Sequence, residues 1–203
     1  MKATALLEQQ HREVEELFTK LEAGPPNEDL ILELATALTA HATIEEELFY
    51  PAAKRFRKNI VLESLEEHEL MAHALKRMSG CDPERESFHA KLKATKEVVE
   101  RHVQQEETEL LPAMAEALGE EDEALGERME KRYLEIKDLG YEGAIGERRA
   151  RRSHDVEHAT NAHEGSRTHG AEKARARSTG EKSTGNHKTP ARKKASHAHP
   201  RGA

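Results

Sequence analysis

Four stretches of this chain space apolar residues at the 3.6-residue period of an amphipathic helix, and each puts one histidine inside the apolar stripe. Leu7, His11, Val14, Phe18 and Leu21 share a face, as do Leu30, Leu34, Ala37, His41, Glu45 and Leu48. The third set is Val61, Leu65, His68, Ala72 and Leu75, and the fourth is Phe88, Leu92, Thr95, Val99, His102 and Glu106. Such stripes are buried best against one another, so the chain has to build a helical core with imidazoles in its middle. The boundaries are legible too. Gly24-Pro25-Pro26 stops a helix that starts near Thr4, Asn27 caps the next, and Tyr50-Pro51 ends or kinks it. A third helix is expected from about Asn59 to Met78, closed by Ser79-Gly80, and Asp82-Pro83 supplies the N-cap and first residue of a fourth that reaches Leu111-Pro112. Helices of about 20 residues with short joints predict an all-α fold, an antiparallel four-helix bundle over residues 1–112.

Beyond Pro112, Met114, Leu118, Leu125, Met129 and Tyr133 continue the apolar pattern, which predicts an extra C-terminal helix over 113–140 that packs along the bundle or makes a dimer contact. Charge then changes sign. Residues 1–140 hold 18 Lys and Arg against 32 Asp and Glu, whereas 141–203 hold 14 against 7, with only Tyr141, Ile145 and Val156 as large apolar residues. So little apolar surface cannot offset ordering entropy, and 141–203 is expected to be a disordered, basic, low-complexity tail. A single cysteine, Cys81, excludes an internal disulfide framework and fits a reducing cytoplasm. No apolar run approaches the length of about 18 residues that spans a bilayer. Glu8, His11 and Arg12 interrupt the N-terminus before a secretion signal forms, so neither membrane insertion nor export is expected.

The chemistry lies in the stripes. Glu45 and Glu106 follow His41 and His102 by four residues. At about 100° per residue that spacing returns a side chain to within about 40° of its starting direction, so each pair points the same way into the core. One histidine on an apolar face is ordinarily a core residue with a satisfied hydrogen bond, and a glutamate in a run such as Glu45-Glu46-Glu47 is ordinarily surface. Four imidazoles and two carboxylates in one layer are a different case. Burying two carboxylates without cations is costly, and no Lys or Arg shares their stripes. Metal ions remove that cost. Imidazole with carboxylate and no thiolate suits iron, manganese or zinc, and six ligands exceed what one tetrahedral zinc uses, which points to a two-metal centre. With both carboxylates and one oxygen bridging two six-coordinate ions, two positions stay open for a small exogenous ligand. The order also differs from ferritin-like bundles, where glutamate precedes histidine by three residues.

These residues resemble the hemerythrin-like HHE cation-binding family in its bacterial branch. The matching segments are Gln10-His11-Arg12-Glu13, His41-Ala42-Thr43-Ile44-Glu45-Glu46-Glu47-Leu48-Phe49-Tyr50-Pro51, Glu67-His68, and His102-Val103-Gln104-Gln105-Glu106-Glu107 with Leu111-Pro112. The resemblance implies two iron ions with bridging carboxylates and an oxygen-derived bridge in a four-helix bundle. Carried over, His11, His41, His68 and His102 are terminal metal ligands, and Glu45 and Glu106 are the bridges. The oxygen carriers of the family have a second histidine where this chain has Ala72, and an Asp five residues after the last histidine, where this chain has Glu107. Glu106 and Glu107 are therefore alternative ligands. His73 is a weak candidate for a fifth imidazole, since i+5 turns it about 140° from His68.

The expected function is a cytoplasmic di-iron protein that binds or reduces a small oxidant, namely oxygen, hydrogen peroxide or nitric oxide, in oxidative or nitrosative stress. As an enzyme it would be an oxidoreductase of peroxidase-like or catalase-like type, with Tyr50 and His73 as weak candidates for a proton donor. The alternatives are an iron- or oxygen-sensing module without turnover, an iron store or buffer, and a centre with manganese or a mixed pair. Arg148-Arg149-Ala150-Arg151-Arg152 and Lys188-Thr189-Pro190-Ala191-Arg192-Lys193-Lys194 could make weak, nonspecific contacts with nucleic acid, although no aromatic residues interleave them. The plainer reading is a solubilising flexible tail, or one that folds back on its own acidic bundle.

Overall fold

The computed structural model describes residues 1–25 and 27–177, with side chains described as far as residue 150. The described residues form helices joined by short turns, with no strand among them: α1 (Ala3–Ala23), α2 (Glu28–Ile44), α3 (Tyr50–Ala53), α4 (Lys58–Ser79), α5 (Glu86–Gln105), α6 (Leu111–Leu118) and α7 (Glu121–Arg177). The chain divides into Met1–His154, which holds the bundle, and Asp155–Ala203, which is helical over its described part, up to Arg177. Short joints make α1, α2, α4 and α5 alternate in direction. Around the bundle α1 touches α2 and α5, and α4 touches the same two, which closes the ring of four.

Local chemistry explains most of the ends. Asn27 accepts hydrogen bonds from the Asp29 and Leu30 amides, so it is the cap its sequence position suggests. Asp82-Pro83 does not open the fourth helix as expected. The Asp82 carboxylate accepts from the Glu84 amide and its carbonyl from the Arg85 amide, which folds 82–85 into a turn and delays α5 to Glu86. Pro51 and Pro112 do not end their helices either. One π-helical turn precedes each, Glu45–Phe49 before α3 and Glu106–Leu110 before α6, in which the Tyr50 and Leu111 amides reach back to the Glu45 and Glu106 carbonyls. The widened turn relieves a proline's missing N–H and its ring's clash with the carbonyl four residues back.

Two apolar clusters make the core. One joins Leu6, Leu7, Ile44, Phe49, Leu110 and Met114 to Met129 and Ile136; the other gathers Phe18, Leu34, Leu75, Met78, Phe88 and Leu92. In α1, α2 and α5 the stripe histidine lies between residues of the two clusters, so a buried polar layer separates them.

The segment after Pro112 breaks once more than its pattern suggests. Gly119, with φ of 54°, ends α6 in a conformation that favours glycine, and α7 then returns along the bundle, burying Leu125, Met129, Tyr133 and Ile136. It packs on its own chain. Two residues fix it there: Asp122 accepts from the Thr4 amide and hydroxyl, capping α1 from a distance, and Gly126, one turn on, lets the backbone of Met1–Ala3 come within what would be 2.0 Å of a Cβ. Gly140 (φ 66°) bends α7, and Tyr141 and Ala144 beyond it are buried. The expected start of a disordered tail at residue 141 is thus corrected: at least residues 141–150 pack on the bundle, because the bend aims a few apolar side chains and Arg148 at it. The Arg151 and Arg152 side chains and the whole Lys188–Lys194 cluster lie outside the described residues. Among the described residues no helix is long and apolar enough to cross a membrane.

Candidate metal centre

The six stripe residues meet. His11, His41, Glu45 and Glu106 each bring a potential ligand atom within 4.8 Å of the others, and Glu45, His68 and His102 do the same, so Glu45 belongs to both groups. The imidazoles pair accordingly, with ring centroids 4.9 Å apart for His11 and His41 and 4.8 Å for His68 and His102. Helix periodicity puts the four histidines on facing stripes. The two glutamates arrive because each stands one helical turn after its histidine, at the first residue of a π turn.

All four rings are oriented alike. The His11 Nδ1–H donates to Glu107 Oε1, that of His41 to Gln10 Oε1, that of His68 to Glu46 Oε1 and that of His102 to Glu67 Oε2, each at 2.9 Å. The supports follow the order of the bundle: α1 holds the histidine of α2, the turn after α2 holds that of α4, α4 that of α5, and the turn after α5 that of α1. Every Nε2 is thereby left facing the centre, with its lone pair inward whenever the ring is neutral.

What those lone pairs face is carboxylate oxygen. His41 Nε2 and His68 Nε2 stand 3.3 and 3.2 Å from Glu45 Oε2, and His11 Nε2 and His102 Nε2 stand 3.4 and 3.5 Å from Glu106 Oε2. His11 Nε2, His41 Nε2, Glu45 Oε1 and Glu106 Oε2 are buried without a hydrogen-bond partner. Acceptors aimed at acceptors in a dry layer repel, unless cations lie between them. The donor set and its orphaned atoms therefore fit metal ions.

The electrostatics of the layer agree with that arrangement. Burial lowers His41 well below the ordinary imidazole range, reinforced by His11, and burial lowers His68 to about 4 despite its bond to Glu46. Both stay neutral and able to ligate. Burial also lowers His11, but Glu106 and Glu107 outweigh it and raise the ring overall, so a proton can stand in for a cation there. Burial and the charge of Glu106 push Glu45 well above the carboxylate range. Burial opposes ionisation of Glu106 as well, yet His102, His11 and His41 keep it low.

Tyr50 sits at the middle. Its hydroxyl donates to Glu106 Oε1 at 2.8 Å and lies 3.4 Å from Glu45 Oε2 and 3.3 Å from His68 Nε2. Burial, then the two carboxylates, raise it well above the phenol range, so the proton stays on. His73 is exposed and joins neither group; it lines a surface pocket with Ala72, Lys76 and Arg148. Its i+5 angle carries it away from the centre. Glu106 lies within the cluster, whereas Glu107 bonds His11 from its outer side. Sequence reasoning missed the supporting roles of Gln10, Glu46 and Glu67. One signal was present: each is the immediate sequence neighbour of a stripe residue and stands on the flank of the stripe.

The comparisons agree with this geometry. The family described as hemerythrin HHE cation binding domain matches residues 2–114. The crystal structure of a hemerythrin HHE cation binding domain-containing protein from Mycobacterium kansasii is similar with a TM-score of 0.62 at 26% identity, covering 68% of this chain and 88% of that one. A protein named DNA nickase from Nostoc sp. is 30% identical over 115 residues, 55% of this chain but 33% of the relative, so the chain spans about a third of that protein's length. Four-helix architecture, a buried histidine–glutamate layer and the match over more than half its length place the chain in the hemerythrin HHE cation-binding domain family.

Proposed function

We propose that the protein holds two iron ions between His11, His41, His68, His102, Glu45 and Glu106, with the glutamates bridging, and that it binds or reduces a small oxidant: oxygen, hydrogen peroxide or nitric oxide. The observation that carries this reading is the orientation of the four rings, whose Nδ1 atoms are all occupied and whose Nε2 atoms all face buried carboxylates. Bound iron would supply Lewis acidity and one-electron chemistry. The chain's own part is to fix the ligands, exclude water and hold a proton at the Tyr50 hydroxyl. That hydroxyl lies 2.8 Å from Glu106 and 3.3 Å from His68, so in a peroxidase-like or catalase-like reaction Tyr50 would be the residue to supply a proton for O–O cleavage. A role in oxidative or nitrosative stress inside the cytoplasm suits such a site. Anaerobically iron-loaded protein should change its visible absorption on adding one of the three oxidants; silence with all three contradicts the reading.

One observation favours a second reading, an oxidant or iron sensor without turnover. His68 bonds Glu46, and Glu46 bonds Arg148 of α7, so the centre is tied to the C-terminal helix. A sensor would alter the protease susceptibility of α7 with iron state while leaving excess peroxide unconsumed.

A further inference from the structure

The four supports around the ring are unequal, and the inequality follows the two halves of the centre. Behind His68 stands Glu46, held by Arg148 beneath α7, and behind His102 stands Glu67, paired with Arg101 at 2.8 Å. His41 leans on the uncharged amide of Gln10, and His11 on Glu107, whose side chain is 38% exposed. A groove between α1 and α5, with a volume of about 510 Å³, reaches both His11 and Glu107. Val99 and Val103 line it, and Glu15 and Glu100 stand along it. Its cations are all paired with carboxylates: Arg12 with Glu8 at 3.6 Å, and Lys96 with Glu22 at 2.6 Å and, along the groove itself, with Glu100 at 3.8 Å.

We propose that the two metal positions exchange at different rates: the ion held by His11 and His41 is the labile one, and divalent cations enter and leave it through the α1–α5 groove past Glu107. This rests on the two-metal reading above. To release an ion on the groove side, His11 swings outward and gives up one hydrogen bond to a carboxylate that water already reaches. Glu107, freed by that swing, offers an oxygen ligand to the passing ion. On the opposite side the same motion of His68 has to break a bond to a carboxylate fixed by an arginine. Outer partners of this kind are worth about 10–100-fold in metal affinity.

The test is removal of ferrous iron from the anaerobically loaded, full-length protein by a chelator that absorbs when it binds iron. Wild type should lose iron in two phases of equal amplitude, and His11→Ala should retain only the slow one. Gln104→Trp, an exposed change that fills the groove mouth, should slow the fast phase about tenfold or more and leave the slow phase unchanged within about twofold. Ala90→Trp, exposed on α5 outside this groove, is the matched control and should alter neither phase. A single phase in wild type, or equal slowing of both phases by Gln104→Trp, would overturn the proposal while leaving two bound ions intact. Retention of no iron would overturn the metal reading itself, and this proposal with it.

Discussion

Glu45 shows at the scale of one residue how the site trades stability for chemistry. Its carboxylate is fully buried, shares its surroundings with Glu106, and without a cation has only Tyr50 and neighbouring imidazoles against it. Glu45→Gln keeps the shape and removes the charge. Metal-free Glu45→Gln should therefore be as stable as metal-free wild type or more stable by about 1–3 kcal/mol, while its metal stoichiometry collapses. Urea unfolding of both metal-free proteins beside metal analysis checks the two halves together. Tyr50→Phe separates ligation from proton supply. It should keep the bound iron and slow the reaction with peroxide about 10²-fold, as stopped-flow absorbance would report. Loss of the iron instead would make the hydroxyl structural.

Elements carry the site through register. The stripes made four helices, their order and the six central residues readable, because burial at a 3.6-residue period leaves a mark on sequence. The π turns left none of that kind. Proline six residues after Glu45 and Glu106 reads as a stop, yet the helix widens by one turn and continues to Ala53 and Leu118. Asp82-Pro83 misleads in the opposite sense: a good cap followed by proline serves a turn equally well, and the backbone bonds of 82–85 decide the outcome. The Asp122 cap was illegible because its partner, Thr4, is 118 residues away. Asp122→Ala should cost about 1 kcal/mol by loss of that cap. Gly126→Val should displace the N-terminal residues and cost about 1–3 kcal/mol by overpacking. Thermal melts of the two variants test both values.

At the scale of the whole molecule, α7 is part of the bundle's support. Arg132 bonds Glu47 and Arg148 bonds Glu46, so two residues of the turn that begins with Glu45 are gripped from α7. A chain ending at residue 140 loses Arg148 together with buried Tyr141 and Ala144. It should be less stable than full-length protein by about 2–4 kcal/mol, and its metal should leave faster. This dependence was hidden in the sequence, because composition averages over 141–203 and two apolar residues, Tyr141 and Ile145, at the start of a basic segment do not reveal the bend at Gly140 that aims them at the core. Seven of the 13 histidines also lie in 141–203, so metal retained by full-length protein has to be assigned by substitution.

The central claim is that the buried layer exists to hold metal. Iron per chain, measured on full-length protein after anaerobic loading and gel filtration beside His41→Ala, tests it most directly. Two irons per wild-type chain, with a clear fall in His41→Ala, is the predicted result. No retained iron, or the same amount in both proteins, would contradict it.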